Sequence, residues 1–428
     1  MMKFWLRLCM VFCLLASAGH AQAEGFGLYE YSARGVALSG AMMARKPDAS
    51  AVAYNPALLT RLPGTHVMAG LTTVYPRGKM VWEDKSPETR LKHSLWHIPH
   101  GYFTHQINDD WFFGIGEFTR FGLGFEYPHN WPGRFNIYEV NLQSTSINPN
   151  IAWKATDSLS LAAGVEIVYV KLDLKKRSMV PEGSQPGIGM EIDANIQDAD
   201  AWGIGGNIAM HYQFNEQWAF GAQYRSPVRV HAYGDMQYSL VAPSAYGWGP
   251  SQQAFDTIFK DVNADATVVL PDSIAFGLAW MPTPEFSIEV GAIWTHWSTF
   301  GSLNIYMPDA PYSPLREAKS NKQWRNTWRL NAGVEWQALD WLTLRAGYAY
   351  DQAPMTPRYA DYLVPTANRN IYSGGIGIKW DAWTVDLAYA YIHPKRRNYN
   401  PAPERGLLES RPSESYTQLF SMSVGYEF

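Results

Sequence analysis

Strict alternation of apolar and polar residues is the feature that most constrains how this chain folds. The last segment shows it: Phe420, Met422, Val424, Tyr426 and Phe428 are separated by Ser421, Ser423, Gly425 and Glu427. Successive side chains on a β-strand point to opposite faces, so such a segment has one apolar face and one polar face. The same alternation recurs at 328–336, 342–351 and 383–391. The chain is therefore predicted to consist mainly of strands.

The apolar faces carry aromatic residues near their ends. Trp328 and Trp336 delimit one stripe, and Tyr348 and Tyr350 close another. A soluble β-sandwich also alternates, but its inward faces are mostly aliphatic. Aromatic girdles that flank an apolar band are typical of transmembrane β-barrels, where they lie at the two membrane interfaces. The pattern favours a barrel over a sandwich.

The connections between the segments alternate between short and long. We place fourteen strands, starting near residues 64, 93, 110, 139, 157, 200, 217, 263, 285, 323, 340, 368, 382 and 416. Short polar turns are expected at 107–110, 155–158, 214–217, 282–285, 338–340 and 379–381. Long loops are expected at 77–92, 123–138, 173–199, 234–262, 301–322, 351–367 and 394–415. An up-and-down barrel with both ends in the periplasm requires this alternation, so we predict an all-β, 14-stranded antiparallel transmembrane barrel.

The first residues read as an export signal. Lys3 and Arg7 precede or flank an apolar run that ends in small residues at Ala23, which predicts a signal peptide over 1–23. An N-terminal membrane anchor is the alternative, but the apolar run is too short to span a bilayer. Both cysteines, Cys9 and Cys13, lie in this segment, so no disulfide is expected afterwards. Together with the barrel, export predicts a location in the outer membrane of a Gram-negative cell.

Several classes of function find no support in the sequence. The chain has 35 Lys and Arg residues against 39 Asp and Glu residues, which gives no basic footprint for nucleic acid. It has no nucleophile elbow and no phosphate-binding loop in a suitable context, so we predict that it is not an enzyme. Four histidines cluster at His93, His97, His100 and His105. On a strand His93 and His97 stand about 13 Å apart, so we expect neither a metal nor another cofactor.

A barrel of this size encloses a lumen that its own side chains cannot fill. Residues 24–62 are rich in Gly, Ala and apolar side chains, and we expect them to fold inside the barrel of residues 63–428 as a hatch. Asn55, Pro56 and Ala57 have the residue types that begin a helix, with Asn as the cap and Pro at the first position. Charged residues on the polar faces should pair across the lumen or with the hatch; these are Glu289, Arg329, Glu335, Arg345 and Asp386.

Several stretches resemble the long-chain fatty acid transporter family of Gram-negative outer membranes, which includes aromatic-hydrocarbon channels. They are EGFGLYEYSARG from residue 24, Ser39-Gly40, Asn55-Pro56-Ala57, LPDSIAFGLAW from residue 270, THWSTF from residue 295, TWRLNAGVEW from residue 327 and LTLRAGYAYDQAP from residue 342. The resemblance implies fourteen strands. It also implies that a hydrophobic ligand is captured outside and moves to a lumen pocket beside the hatch. From there it leaves sideways into the membrane, where the third strand kinks.

The resemblance also implies roles for individual residues. Gly122 matches the kink of the third strand, although it could also be an ordinary glycine at a strand end. Phe26 matches the aromatic residue that reaches the pocket. Lys176 and Arg325 match the cations that hold a carboxylate, with solubility at a loop edge as the alternative. Lys176 is expected just past the fifth strand and Arg325 at the start of the tenth.

The sequence thus predicts passive uptake of long-chain fatty acids or similar hydrophobic compounds, with lateral release gated by the hatch. One alternative is an aromatic-hydrocarbon channel, for which Lys176 and Arg325 would be irrelevant, and another is an adhesin or structural barrel. The expected partners are a hydrophobic small molecule and outer-membrane lipid, and we expect a monomer. The loop 173–199 is more polar than a capture groove requires, so the loop 234–262 is the second candidate for that groove.

Overall fold

The structure is a computed structural model that describes residues 25–84, 86–181, 189–242, 252–311, 313–365 and 367–428. The predicted signal peptide, residues 1–23, and the expected first mature residue, Glu24, lie outside these ranges. A search of the described residues for a helix long and apolar enough to cross a bilayer finds none.

Strands dominate the chain. In order they are β1 Thr65–Trp82, β2 Thr89–Arg90, β3 Trp96–Gln106, β4 Trp111–Phe118, β5 Gly122–Glu126, β6 Glu139–Lys154, β7 Leu159–Pro181, β8 Gly189–Gln213, β9 Trp218–Arg225, β10 Val228–Ala242, β11 Val262–Leu270, β12 Ser273–Thr283, β13 Phe286–Thr295, β14 Ser302–Tyr306, β15 Glu317–Asn321, β16 Thr327–Leu339, β17 Leu342–Asp351, β18 Arg369–Trp380, β19 Trp383–Pro394 and β20 Ser410–Glu427. The α-helices are α1 Ala33–Ala37, α2 Ala51–Tyr54 and α3 Gln252–Ile258. Short 3₁₀ helices cover Pro56–Arg61, Pro132–Phe135, Trp297–Thr299, Ser313–Leu315 and Pro403–Arg405.

These strands form a closed antiparallel barrel of 14 strands, as predicted. Five wall strands consist of two consecutive segments each: β4 with β5, β9 with β10, β11 with β12, β13 with β14, and β15 with β16. The short β2 pairs with the outer end of β1. The last strand, β20, pairs with β1 over nearly its whole length and closes the barrel. This closure pairs the first strand with the last, whose backbone groups would be costly to leave unpaired in lipid.

The six short turns lie where the sequence predicts them, but the prediction of a loop at 173–199 is wrong. The strands β7 and β8 continue through most of this range as a paired hairpin. Lys176 therefore lies within β7 and not past its end. Ion pairs hold the hairpin together: Arg177 contacts Glu191 at 2.9 Å and Asp193 at 3.1 Å. This part of the hairpin projects beyond the apolar band, so its charged side chains resemble a loop in sequence.

Aromatic residues mark both ends of the outer surface. At the turn end, which the short connections identify as periplasmic, Trp111 stacks on Trp153 with ring centroids 5.9 Å apart. At the loop end, Tyr348 packs on Tyr372 at 5.5 Å. Apolar side chains such as Val290 are exposed on the wall between these girdles. The girdles predicted from sequence are thus present in the structure.

Candidate functional site

Residues 25–62 lie against the inward-facing side chains of the wall, and most of them are buried. Asn55 accepts a hydrogen bond from the Ala57 N–H at 3.1 Å, and Pro56 is the first residue of the 3₁₀ helix that follows. The Asn55 amide also donates to the carbonyl oxygens of Met43 at 2.7 Å and Met210 at 3.0 Å. Asn55 therefore begins the helix and also fastens the segment to β8 of the wall.

Glu289 on β13 anchors this segment from a fully buried position. Its carboxylate is fully buried and accepts the backbone N–H groups of Met43 at 2.6 Å, Ala44 at 3.0 Å and Arg45 at 3.0 Å. The Arg45 Nε lies 3.5 Å from the same carboxylate. Three backbone donors and one guanidinium thus compensate a charge that would be costly to bury alone.

A second ionic network links the segment to β16, β17 and β19, which follow β13 around the wall. Arg34 contacts Glu335 at 2.7 Å and Asp48 at 3.2 Å. Arg345 then joins Glu335 at 2.7 Å to Asp386 at 2.5 Å. The expected ion-pair ladder is confirmed for these wall residues, and Arg34 of the N-terminal segment completes it.

The third wall strand is interrupted between β4 and β5. Strand β3 pairs with β4 only as far as Glu117. Beyond that point the N-terminal segment supplies the hydrogen bonds: the Leu28 N–H donates to the Arg120 carbonyl at 2.8 Å, and the Gly122 N–H donates to the Phe26 carbonyl at 2.9 Å. Gly122 is therefore the residue at which the interrupted strand starts again as β5, and it forms a backbone hydrogen bond there with the N-terminal segment.

The interruption leaves a space in the wall, which we call the window. In the register of the described strands, residues 96–100 of β3 have no partner in β5, which pairs only with β6. A cavity of about 680 Å³ is lined by residues of β3 on one side of this space and by residues of β5 and β6 on the other. The ring of Trp96 covers Gly124, where a Cβ atom would stand only 2.3 Å from it. At the outer end the Lys92 N–H donates to the Glu126 carbonyl at 2.8 Å, and their side chains form an ion pair.

Phe26 lies at the centre of an aromatic cluster on the other side of the N-terminal segment. Its ring centroid is 4.8 Å from Trp297, 5.7 Å from Phe300, 5.7 Å from Trp324 and 5.9 Å from Phe121. The contacts are edge-on or tilted, which are favourable geometries for aromatic rings. The residue expected to reach a pocket is thus held by four other rings.

A second cavity, of about 100 Å³, adjoins Phe26. Inward-facing side chains from β6, β7, β10, β11 and β14 line it, and Asp265 is the one ionisable residue among the described lining residues. Leu123 and Leu142 line both this apolar cavity and the window cavity. These two residues are register partners on β5 and β6, so they form the partition between the two spaces.

Lys176 stands above the apolar cavity. It is two residues beyond Leu174, a lining residue, and alternate residues of a strand share a face. No described carboxylate lies within ion-pair distance of Lys176. Burial lowers the pKa of Lys176, and the charge of Lys322 lowers it further. Lys322 itself is buried and paired with Asp361 at 2.5 Å.

Arg325 lies apart from this arrangement. Its side chain is exposed, and its backbone N–H donates to the Pro354 carbonyl at 2.9 Å. Burial lowers the pKa of Arg397, and the charge of Arg325 contributes to that shift. The cation whose charge lowers the pKa of Lys176 is therefore Lys322 and not Arg325. The sequence did not indicate Lys322, because it lies in no recognisable motif. A shared role of Lys176 and Arg325 stays a prediction.

The four clustered histidines do not converge. His100 faces the lumen, with its Nε2 2.8 Å from the Ser423 hydroxyl, whereas His97 lies on the outer surface beside Thr73. The described residues do bring ligand atoms of one other group within 4.8 Å, namely Glu126, His129 and Glu139. Lysines form ion pairs with both carboxylates of that group.

Comparison with known proteins gives one consistent family. A family model described as outer membrane protein transport protein (OMPP1/FadL/TodX) matches residues 14–428. Outer membrane protein P1 of Haemophilus influenzae is 26% identical, with 97% of each chain covered. The long-chain fatty acid transport protein of Escherichia coli is 24% identical over 95% of each chain.

Solved structures share the fold. A FadL homologue of Pseudomonas aeruginosa superposes with a TM-score of 0.82 at 20% identity, covering 94% of this chain and 100% of that one. The toluene transporter TodX of Pseudomonas putida superposes with a TM-score of 0.74, also at 20% identity, covering 94% and 99%.

Proposed function

The chain belongs to the outer membrane transport protein family (OMPP1/FadL/TodX), whose members are outer-membrane transporters of hydrophobic compounds, and we propose that its cargo is long-chain fatty acids. We further propose that the cargo leaves through the window between β3 and β5 into the membrane. The observation that carries the proposal is the interrupted third strand. At the interruption, the backbone groups of Arg120 and Gly122 form hydrogen bonds with Leu28 and Phe26 of the N-terminal segment. This segment is therefore placed to open or close the window.

The proposed route begins at Lys176 and ends in lipid. The acyl chain enters the apolar cavity below Lys176 and meets the partition formed by Leu123 and Leu142. Phe26 lies on the cavity side of the N-terminal segment, and Leu28 lines the window cavity. A shift of residues 26–28 would break two backbone hydrogen bonds to the interrupted strand and move both side chains together. The segment thus acts as the gate of the route.

A carboxylate headgroup is supported by the electrostatics of Lys176. Its ammonium is partly desolvated and, among the described residues, has no acidic partner, so an anionic ligand would stabilise its charged form. The tail gains about 0.8 kcal/mol for each methylene that leaves water. Lateral release conserves that gain, because the chain passes from protein to hydrocarbon without crossing water. A charged head and a long apolar tail therefore match the two parts of the site.

The size of the apolar cavity favours a second candidate, a small aromatic hydrocarbon. The cavity of about 100 Å³ is comparable with the ~150 Å³ apolar cavity that takes up benzene in an engineered protein. Among the described residues, its lining side chains are apolar except for Asp265. A long acyl chain fits only if the partition at Leu123 and Leu142 opens.

Uptake of radiolabelled oleate and toluene into liposomes separates the two candidates. We expect Lys176→Ala to lower oleate uptake about 10- to 150-fold and to leave toluene uptake unchanged, because a charge-assisted contact is worth about 1.5–3 kcal/mol. Lys175→Ala is the matched control, since Lys175 pairs with Glu139 at 3.1 Å. Arg325→Ala tests the second expected cation. Toluene uptake with oleate excluded would establish the hydrocarbon channel instead.

A further inference from the structure

Tyrosines and cations follow one another around the outer surface at the loop end of the barrel. The strands concerned are neighbours: β17, β18, β19, β20, β1 and β3. The tyrosines face outward at the loop end of the apolar band, and the cations lie just beyond them. These tyrosines are Tyr75, Tyr350, Tyr391 and Tyr416. We call this surface the outer basic band; its cations and imidazoles are Arg77, His93, His393, Lys395 and Arg396.

Arg77 forms one end of the outer basic band. Its guanidinium lies 4.4 Å from the ring of Tyr75, and one of its terminal nitrogens contacts the imidazole of His93. The Arg77 Nε has no hydrogen-bond partner among the described residues. Since Arg77 is in register with Tyr416 on β20, both side chains share the outer face. The guanidinium is thus directed away from the lumen, and its Nε is itself buried.

Lys395 and Arg396 form the other end. Both side chains are exposed, and neither has a carboxylate within ion-pair distance among the described residues. The Lys395 Nζ lies 5.1 Å from the ring of Tyr350. His393 stacks on Tyr391 with centroids 6.2 Å apart. A cleft of about 230 Å³ opens beside these residues between β19 and β20.

Tyr416 connects the two ends. Its ring centroid lies 5.6 Å from that of Tyr391, and it is also the register partner of Arg77. Glu414 is the acidic residue that lines the cleft, and Lys79 contacts it at 2.6 Å. The outer basic band is therefore continuous across β19, β20 and β1, and its net charge is positive.

We propose that the outer basic band binds the phosphate groups of lipid A, the phosphorylated glycolipid anchor of lipopolysaccharide in the outer leaflet. The tyrosines lie where acyl chains meet headgroups, which places the cations at the level of the lipid phosphates. Exposed Lys and Arg side chains at a membrane surface attract anionic lipid at about 1 kcal/mol each. Arg77 also lines the window cavity, whereas His393, Lys395 and Arg396 line the separate cleft between β19 and β20. The proposal does not depend on the nature of the cargo.

The test is lipid A binding by the full-length protein in detergent, measured by native mass spectrometry. We expect the double variant Lys395→Ala/Arg396→Ala to weaken binding about 25-fold, from roughly fivefold per cation. A matched double variant, Lys154→Ala/Lys379→Ala, removes two cations near the periplasmic turns and should leave binding unchanged. Arg77→Ala should weaken binding about fivefold. Heat-modifiable migration on gels verifies that each variant forms the barrel.

Three outcomes would overturn the proposal. Equal losses in the two double variants would show that any surface cation attracts the lipid. Equal binding of dephosphorylated lipid A would show that acyl chains alone are recognised. Inorganic phosphate that binds the band as tightly as lipid A would indicate a site for a soluble anion.

Discussion

Removal of the Glu289 carboxylate tests how the N-terminal segment is held inside the barrel. In Glu289→Ala the backbone N–H groups of Met43, Ala44 and Arg45 lose their common acceptor. The Arg45 side chain, only 1% exposed, loses the carboxylate that compensates its charge. The strand β13 keeps its hydrogen-bonded ladders to β12 and β16. Glu289→Ala should therefore weaken the docking of the N-terminal segment without destabilising the wall.

The size of the effect follows from the buried charge. Removing one partner of a buried ion pair costs about 3–5 kcal/mol, because the other charge stays buried without compensation. At about 1.4 kcal/mol per factor of ten, the opening equilibrium of the segment should rise about 150- to 4,000-fold. The backbone donors overlap with this cost, so their contributions are not added to it.

Hydrogen–deuterium exchange of the purified protein measures this opening directly. Peptides covering residues 36–48 should lose protection by that factor in Glu289→Ala, while peptides from β12 and β16 should not. Glu285→Ala is the control, because Glu285 is exposed at the turn that precedes β13. Unchanged protection at 36–48 in Glu289→Ala would refute the view that Glu289 anchors the segment.

Three further predictions concern the route. Gly124→Leu should reduce oleate uptake into liposomes several-fold, because a side chain there meets the Trp96 ring, whereas Gly301→Leu, with open space around its Cβ, should not. Leu123→Ala should join the two cavities and speed toluene entry, at a cost of about 2–5 kcal/mol in the free energy of unfolding measured with urea. Burial lowers the pKa of Lys176, so its ammonium loses its proton at a lower pH than an exposed lysine does. Oleate affinity, measured by calorimetry, should therefore fall as the pH rises towards 10, and Lys176→Ala should remove this dependence.

The barrel was predictable because lipid imposes a strict pattern on the wall. Every lipid-facing position must be apolar, so alternation marks each strand, and the short turns mark one end. The pattern fails where the membrane ends. Residues 173–181 and 189–199 pair as strands, but their buried apolar residues, such as Ile192 and Ile196, lie on one face. The other face carries ion pairs such as Arg177 with Glu191 in place of a lipid-facing apolar stripe.

The site was predictable only in part, since its residues come together over long distances in sequence. Gly122 and Phe26 followed from resemblance, but the hydrogen bond between them joins two segments that no local pattern relates. The pairing of Lys92 with Glu126 at the outer end of the window and that of Lys322 with Asp361 are likewise invisible in sequence. By contrast, Asn55 and Pro56 act within a few residues of chain, and there the local residue types sufficed.

A reversible closure of the window tests the central claim, lateral release, most directly. Since both cysteines of the chain lie within the predicted signal peptide, a pair introduced as Trp96→Cys and Gly124→Cys would be the first in the wall. Phe103→Cys with Ile115→Cys, register partners on β3 and β4, is the control pair. Lateral release predicts that oxidation stops oleate uptake only in the first variant and that a reductant restores it. Equal uptake by the oxidised and reduced forms of that variant would contradict lateral release through the window.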